Sequence, residues 1–185
     1  PLLANHPEAR VEPCGATLLT EKEVAEIVQG VDCIVHAAAG MRGAVADMFA
    51  NTVIGTRNLL EAAREAGVRR IVRISSFSVY RTEHLSANAL LSEATEIEPE
   101  PTRRGAYAYA KTRQEQLFRS CTAQAGIESV ILRPGVIYGP GGSAISPRVG
   151  LSAMGLFVSL GNKVLLPLTY VENCADAVAR AAVHA

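Results

Sequence analysis

Short apolar runs alternate along this chain with segments of helical periodicity, and this alternation limits the fold more than any other feature. Three runs rich in β-branched residues predict buried strands: 31–39, 70–76 and 129–132. Three helical segments, each followed by a glycine, predict helices: 21–29, 45–66 and 106–125. Strands that alternate with helical crossovers predict an α/β fold, a doubly wound parallel sheet with helices on both faces.

The remaining segments follow a less regular pattern. A polar, proline-containing stretch at 81–105 predicts a loop, and the Gly/Pro-rich segment 138–142 predicts a turn. The apolar segment 149–160 predicts a short core helix, with the wall of an apolar substrate pocket as the less favoured interpretation. A strand is expected within 164–171, and Asn173 is predicted to cap a final helix.

Composition excludes several classes of function. Hydrophobic residues make up 49% of the 185 residues, which is enough for a substantial core. The 18 basic and 18 acidic residues balance, so no basic surface is expected for nucleic acid. No apolar run reaches the roughly 20 residues that a membrane helix needs. The spacing of the four cysteines contains no metal or redox pair, so we expect reduced thiols in a cytoplasmic protein with no metal site.

A set of residues suited to acid–base chemistry follows the predicted strands. Tyr107 and Lys111 lie four residues apart and share a helix face, while Ser75 and Ser76 end the second strand, where such sheets bind ligands. Ionising a tyrosine at pH 7 costs about 4 kcal/mol, and a neighbouring ammonium lowers that cost. Together these groups suit removal of a proton from an alcohol while hydride leaves its carbon. Taken separately, the tyrosine and lysine are better explained as a solvated surface pair, and the two serines as part of a turn at the strand end.

Six motifs, in one order, make the chain resemble the extended short-chain dehydrogenase/reductase family, the NAD-dependent epimerase/dehydratase group. The motifs are Gly30–Ala38 (GVDCIVHAA), Asn51–Ala62 (NTVIGTRNLLEA), Ser75–Tyr80 (SSFSVY), Tyr107–Lys111 (YAYAK), Leu132–Gly141 (LRPGVIYGPG) and Tyr170–Ala177 (YVENCADA). They run through nearly the whole chain. The resemblance implies a Rossmann-like sheet and an enzyme that uses NAD or NADP.

The resemblance also implies roles for individual residues. Tyr107 would be the catalytic acid or base, and Lys111 would favour its ionised form and bind the nicotinamide ribose. The catalytic set would be Ser76, Tyr107, Lys111 and Asn51. The cofactor would be bound by His36, Ala37, Ala38, Ser75, Tyr107, Lys111, Pro134, Gly135 and Val136. The substrate would be bound by Ser76, Phe77, Ser78 and Tyr107. For Asn51 a bond to its own helix backbone, and for His36 a buried neutral imidazole, are equally good interpretations.

The sequence departs from the family pattern at three places. No Gly-rich phosphate loop (GxxGxxG) precedes Val31, so we expect that loop, its βαβ unit and the residue that selects NAD or NADP to lie upstream of Pro1. A further substrate-binding lobe is expected after the last helix. Phe77 and Ser78 stand where nucleotide-sugar dehydratases carry acidic residues, which argues against 4,6-dehydration.

Two classes of function remain open. The first is an NAD(P)-dependent oxidoreductase or epimerase acting on a secondary alcohol or ketone, with a nucleotide sugar as the expected substrate and a 3β-hydroxysteroid-dehydrogenase-like reductase as the alternative. The second is a non-catalytic dinucleotide-binding module, which would not need the Ser, Tyr and Lys set.

The predicted organisation is a partial, N-terminally incomplete nucleotide-binding domain at 1–148, followed at 149–185 by the start of a substrate-binding region and a closing helix. As in relatives, the two long helices, 45–66 and 106–125, are expected to form a homodimer interface. Their outward faces are expected to carry alanine-rich stretches.

Overall fold

The computed structural model describes residues 10–41, 43–86, 89–140, 150–153, 156–159 and 166–184. Helix α2 consists of three consecutive helical segments, Val45–Phe49, Ala50–Ile54 and Gly55–Glu65. The other elements are α1 (Glu21–Ile27), β1 (Cys33–His36), β2 (Arg70–Ile74), α3 (Ala106–Ala125), β3 (Glu128–Leu132), β4 (Val136–Tyr138), β5 (Gly150–Ala153), β6 (Leu156–Ser159), β7 (Leu168–Tyr170) and α4 (Val171–Val183). Short 3₁₀ turns lie at Phe77–Val79 and Pro101–Arg104.

The main sheet is parallel, in the order β1-β2-β3. Its register pairs Ile34 with Ile71 and Ile71 with Ser129. Strands β4 and β7 form a second parallel pair, and β5 and β6 form an antiparallel pair. Because β1, β2 and β3 run in one direction, their carboxyl ends lie along one edge, where ligands bind in open α/β sheets. The predicted α/β class and the three predicted strands are confirmed.

Helices cover both faces of the sheet. On one face, Ile71 packs with Leu60 of α2 and Phe118 of α3 in a core that excludes water. Side chains alternate along a strand, so Arg70 points to the opposite face, where its Nε donates to the Ala181 carbonyl of α4 at 2.8 Å. This arrangement confirms the double winding that the order of elements predicts.

Two of the three glycines predicted to end helices do so, whereas α1 already ends at Ile27, before Gly30. Gly67 and Gly126 adopt positive φ, 72° and 64°, immediately after the residues that close α2 and α3. Glycine pays no steric cost in this left-handed conformation, whereas other residues do. Both long helices therefore end within one residue of the predicted position.

Three expectations for the C-terminal part need correction. The helix predicted at 149–160 is wrong, because β5 and β6 pair there with Ser152 opposite Phe157. Asn173 does not cap the last helix, which already begins at Val171 with Tyr170 in the capping position. Strand β4 was not predicted. The predicted boundary between 148 and 149, and Gly141 and Gly142 of the predicted turn, lie outside the described residues.

None of the helices in the described ranges is long and apolar enough to cross a membrane.

Candidate active site

The end of β2 is linked to helix α3 by a hydrogen bond. The Lys111 side chain is 3% exposed, and its Nζ donates to the Ile74 carbonyl at 2.8 Å. Ile74 is the last residue of β2 and precedes Ser75 and Ser76. Tyr107 lies one helical turn before Lys111 and is partly buried. The structure therefore brings the predicted Tyr–Lys pair to the strand end that carries the two serines.

The seryl loop, which we define as residues 75–78, is tied to the loop that follows β3. The Ser75 amide donates to the Leu132 carbonyl at 2.6 Å, and the Phe77 amide donates to the Pro134 carbonyl at 3.1 Å. The Ser76 hydroxyl oxygen accepts from the Ser78 amide at 3.2 Å and caps the 3₁₀ turn. Three predicted site segments, around Ser76, Lys111 and Pro134, therefore meet at one edge of the sheet.

Burial changes the acid–base properties of Lys111. Removal from water and the nearby positive charge of Arg73, only partly opposed by Glu115, together lower the pKa of Lys111 to about 7. At neutral pH the amine therefore exists in both its charged and its neutral form. A negative charge placed beside Lys111 would therefore favour its protonated form.

The His36 imidazole points into the protein. It is 3% exposed, and its Nε2 lies 2.7 Å from the Thr56 hydroxyl. That hydroxyl donates to the Thr52 carbonyl at 2.6 Å, and Gln114 Nε2 lies 3.2 Å from His36 Nε2, so the imidazole belongs to a buried hydrogen-bond network. Burial, with the charges of Arg73 and Lys111, lowers the pKa of His36 to about 3. Any contact of this residue with a cofactor would therefore come from its backbone.

The buried His36 makes stability depend on pH. Its pKa is about 3 in the folded chain and 6.5 in the unfolded one, so the unfolded state binds more protons below pH 6.5 and stability falls with acidification. We expect a loss of about 2 kcal/mol between pH 6.5 and pH 5 that a His36→Gln variant does not show. Urea unfolding of both proteins at the two pH values measures it. Equal losses in the two proteins would contradict this assignment.

The loop after β1 presents small residues. Ala37 and Ala38 are exposed at the carboxyl end of the strand and leave space above it. The Gly40 amide donates to the Thr52 hydroxyl of α2 at 2.9 Å. A Cβ atom on Gly40 would lie 2.6 Å from the Met48 Cα atom, closer than such atoms approach. Because Gly40 has no side chain, this loop can pack closely against the start of α2.

A Gly40→Ala variant is expected to lose about 1–3 kcal/mol of stability and to bind cofactor more weakly, because backbone must move to admit the methyl group. Gly15→Ala provides a matched control, since no atom lies within 4 Å of the added Cβ there. Chemical unfolding and cofactor titration of both variants check the prediction. A Gly40→Ala protein as stable as Gly15→Ala would show that the loop tolerates the methyl group.

Asn51 lies in the middle segment of α2, Ala50–Ile54, which has π-helical hydrogen bonding. Such single turns occur often at functional sites. The side chain of Asn51 is engaged with its own helix, because its Nδ2 donates to the Asp47 carbonyl at 2.8 Å. The structure therefore places Asn51 in an irregular turn, while its side chain bonds to backbone, as the alternative interpretation expected.

The segment after β3 is held by β7. The Gly135 amide donates to the Thr169 hydroxyl at 3.2 Å, and the Val136 amide donates to the Pro167 carbonyl at 2.7 Å. A side chain on Gly135 would overlap that same carbonyl oxygen. These contacts fix the course of 134–136 beside the seryl loop.

An open cleft of about 290 Å³ borders the same loops. Phe77, Arg133 and Pro134 form one wall, and Asn173 and Cys174 of α4 form the other. The Phe77 ring meets the Tyr80 ring edge-on at 5.8 Å. Phe77, a predicted substrate residue, therefore faces a space of mixed polar and apolar character. The neighbouring Ser78 is buried, and its hydroxyl has no partner in the part of the chain that the structure describes.

A buried polar network, not recognised in the sequence, lies beneath these groups. Arg73 of β2 is fully buried and donates to Gln114 Oε1 at 2.7 Å and to the Lys111 carbonyl at 3.3 Å. Gln114 in turn donates to Thr56 at 2.7 Å. Glu115 accepts from the Ser75 hydroxyl at 2.6 Å. The sequence signal for Gln114 and Glu115 is their spacing, because positions three and four after Lys111 lie on the same face of the helix as Lys111.

The comparisons with known proteins support one family. Residues 3–185 match the NAD dependent epimerase/dehydratase family. Cinnamoyl-CoA reductase 1 of Petunia hybrida is 30% identical over 71% of this chain and 40% of its own length. A 3beta-hydroxysteroid-dehydrogenase/decarboxylase, isoform 2, of Arabidopsis thaliana is 29% identical over 91% of this chain and 30% of its own length. The chain thus spans well under half of these two relatives.

Solved structures agree with this relationship. A short-chain dehydrogenase/reductase superfamily protein from Agrobacterium tumefaciens, solved with bound NAD, is 32% identical and has a TM-score of 0.58 over 66% of this chain and 37% of its own. MoeE5, solved with UDP-glucose and NAD, has a TM-score of 0.75 over 96% of this chain and 60% of its own at 24% identity, a likeness of fold. The chain belongs to the NAD-dependent epimerase/dehydratase family of Rossmann-fold enzymes, and NAD or NADP is the cofactor of that family.

Proposed function

We propose that the protein is an NAD(P)-dependent oxidoreductase or epimerase that moves a hydride between nicotinamide and the carbinol carbon of a secondary alcohol. The observation that carries the proposal is the bond between Lys111 Nζ and the Ile74 carbonyl, 2.8 Å. This bond places a buried amine one turn from Tyr107 and beside Ser75 and Ser76. A binding module has no need of an acid, a base and a hydroxyl converging in this way.

The residues present fit the nicotinamide half of the cofactor. Ala37 and Ala38 leave room at the carboxyl end of β1, and Lys111 supplies a cation that can donate to a ribose hydroxyl. Pro134, Gly135 and Val136 are held at the neighbouring strand end. When bound there, the nicotinamide supplies the carbon that accepts or gives the hydride.

In this proposal Tyr107 takes the hydroxyl proton from the alcohol, or returns it to the ketone oxygen. Lys111 lies one helical turn from Tyr107 and, when protonated, supplies positive charge on the same face of α3. The Ser76 hydroxyl donates to the same substrate oxygen and orients it. Asn51 supports transfer of the proton from the irregular turn of α2. Phe77 and Ser78 contact the substrate beside Ser76.

We propose a nucleotide sugar as the substrate, in agreement with the 31% identity, over 84% of this chain, to GDP-mannose 3,5-epimerase 1 of Oryza sativa. The second candidate is a hydrophobic ketone or hydroxysteroid. It is favoured by the aromatic side chain of Phe77 at the cleft and by the relationship to the Arabidopsis 3beta-hydroxysteroid enzyme. Each candidate keeps the same chemistry at Tyr107.

A substrate panel tests the proposal. The protein, expressed from its complete coding sequence, is incubated with NAD, NADP or their reduced forms, and absorbance of the reduced nicotinamide is followed at neutral pH. UDP-glucose and a 3β-hydroxysteroid represent the two proposed substrate classes. Epimers of the sugar are separated by chromatography, since epimerisation leaves the cofactor unchanged. Turnover of one class supports the proposal, whereas cofactor binding without any turnover supports the non-catalytic alternative.

We further propose a cytoplasmic homodimer that forms through α2 and α3. Several alanines of these helices, such as Ala63 and Ala110, are buried, whereas Ala46 and Ala123 are exposed, so the outward faces carry single alanines and not alanine-rich stretches. Most of the other exposed positions are charged or polar, and Arg57 approaches Glu61 at 3.9 Å. Charged pairs of this kind can be exchanged across a two-fold axis. Light scattering that gave the mass of one chain would exclude the dimer.

A further inference from the structure

The carboxylate of Glu115 lies at the centre of the polar network, one helical turn beyond Lys111. It is 1% exposed. The Ser75 hydroxyl donates to Oε2 at 2.6 Å, and Arg133 Nε lies 3.1 Å from the same atom. Arg133 Nη2 donates to Oε1, which also accepts from Arg119 Nε at 3.2 Å. Arg73 Nη1 completes the set at 3.4 Å.

These contacts join three elements of the proposed active site. Ser75 immediately precedes Ser76 in the seryl loop, and Arg133 immediately precedes Pro134 after β3. Glu115 itself belongs to α3, the helix of Tyr107 and Lys111. Arg133 also donates to the hydroxyl of Tyr80, two residues after the seryl loop, at 2.9 Å. A single carboxylate therefore links the serine, the proposed nicotinamide segment and the tyrosine helix.

Stability alone does not require such a network. A buried ion pair is often replaced by apolar residues without loss of stability, because removing charges from water costs about as much as their attraction returns. Glu115 stays ionised nevertheless. Burial would raise the pKa of Glu115, but hydrogen bonds from Arg133 and Ser75, with the charges of Arg133 and Arg73, hold it at about 2. The carboxylate that makes these contacts is therefore ionised at neutral pH.

We propose that Glu115 is a positioning residue, whose carboxylate fixes the seryl loop and the segment after β3 against the helix that carries Tyr107 and Lys111. This inference rests on the proposed function, because it assigns Glu115 to the geometry of that reaction. Glu115 touches neither substrate nor cofactor. It acts through Ser75 on Ser76 and through Arg133 on Pro134.

Three variants of the protein expressed from its complete coding sequence test the proposal. Glu115→Gln removes the charge, and Ser75→Ala removes one contact with little change in size. Arg119→Gln is the matched control, because Arg119 is exposed and contacts Glu115 without belonging to either loop. We expect kcat per cofactor-binding site to fall about 100-fold for Glu115→Gln and about 10-fold for Ser75→Ala, as for misplacement of reacting groups by about 1 Å. Arg119→Gln should stay within twofold of wild type.

A merely structural role gives a different result. It would lower the number of folded molecules but leave kcat per cofactor-binding site unchanged, and that outcome overturns the proposal. If Glu115→Gln does not fold, Ser75→Ala decides, and Ser75→Thr should restore kcat because it restores the hydroxyl. If the wild-type protein turns over none of the panel, the proposed function fails separately. In that case the fluorescence of bound NADH decides whether Glu115 is a positioning residue. Emission that changes in Ser75→Ala but not in Arg119→Gln supports the positioning role. Emission that is unchanged in Ser75→Ala overturns that role.

Discussion

A Tyr107→Phe variant is expected to lose about 10²–10⁴-fold in kcat, with cofactor affinity close to that of the unchanged protein. Only the phenolic oxygen is removed, and phenylalanine keeps the ring and the helix. Tyr107 is partly buried at the start of α3, one turn before Lys111, whose Nζ is held by the Ile74 carbonyl at 2.8 Å. Loss of the acid or base leaves hydride transfer without a coupled proton. Steady-state kinetics with the substrate found in the panel measures the effect.

The matched control for this experiment is Tyr109→Phe. Tyr109 belongs to the same helix, but its ring stacks on Phe49 at 6.0 Å between centroids and lies under the Arg113 guanidinium at 5.5 Å. Removal of its hydroxyl should leave kcat within about twofold, because the ring makes these contacts. Equal kcat values for Tyr107→Phe and the unchanged protein would refute the catalytic role of Tyr107 and require a different acid or base.

The elements of the fold that the sequence predicts well are those with long periodic patterns. Both long helices and the three strands of the main sheet follow from apolar spacing and from the glycines that end the helices. The segment at 150–159 was misassigned because a short apolar run does not distinguish a helix from a strand by periodicity alone. Strand β4, Val136–Tyr138, was missed because it has three residues and directly follows Pro134 and Gly135.

The site was predictable only where the residues form a recognisable motif. The spacing of Tyr107 and Lys111 and the serines at a strand end predict a site at the carboxyl edge of the sheet, and the structure brings Lys111 to the strand end that precedes these serines. Arg73 was not recognised, because an arginine in an apolar strand is expected to reach solvent, whereas here it is fully buried. Its burial depends on Gln114 and Glu115, which become its neighbours only when α3 packs on β2. Such long-range partners are not encoded in local periodicity.

For His36 and Asn51, the sequence motifs predict the position of the residue but not the direction of its side chain. His36 is the last residue of β1, and Asn51 lies within α2. Their side chains, however, bond to Thr56 and to the Asp47 carbonyl respectively. A motif match fixes where the backbone passes, but side-chain direction is set by the hydrogen-bond partners available in the fold.

A Phe118→Ala variant is expected to lose about 3–5 kcal/mol of unfolding free energy, as buried Phe→Ala substitutions do. Phe118 is fully buried between Leu60 of α2 and Ile71 of β2, and the Arg73 guanidinium lies 5.9 Å from its ring centroid. The substitution would leave a cavity in the core and remove the apolar side of the Arg73 environment. Because the chain contains no tryptophan, urea unfolding is best followed by circular dichroism.

Leu90→Ala is the control for this measurement, because Leu90 is 87% exposed and should change stability by no more than about 0.5 kcal/mol. Phe118→Leu should lose less than Phe118→Ala, since the cavity is partly filled. Arg73 connects this core to the candidate site, because its guanidinium lies beside the Phe118 ring and donates to the Lys111 carbonyl. If Phe118→Ala still unfolds cooperatively, we therefore expect its turnover to fall at urea concentrations below those that unfold the protein. A loss below about 1 kcal/mol would show that α2 and α3 close over the space that the ring occupies.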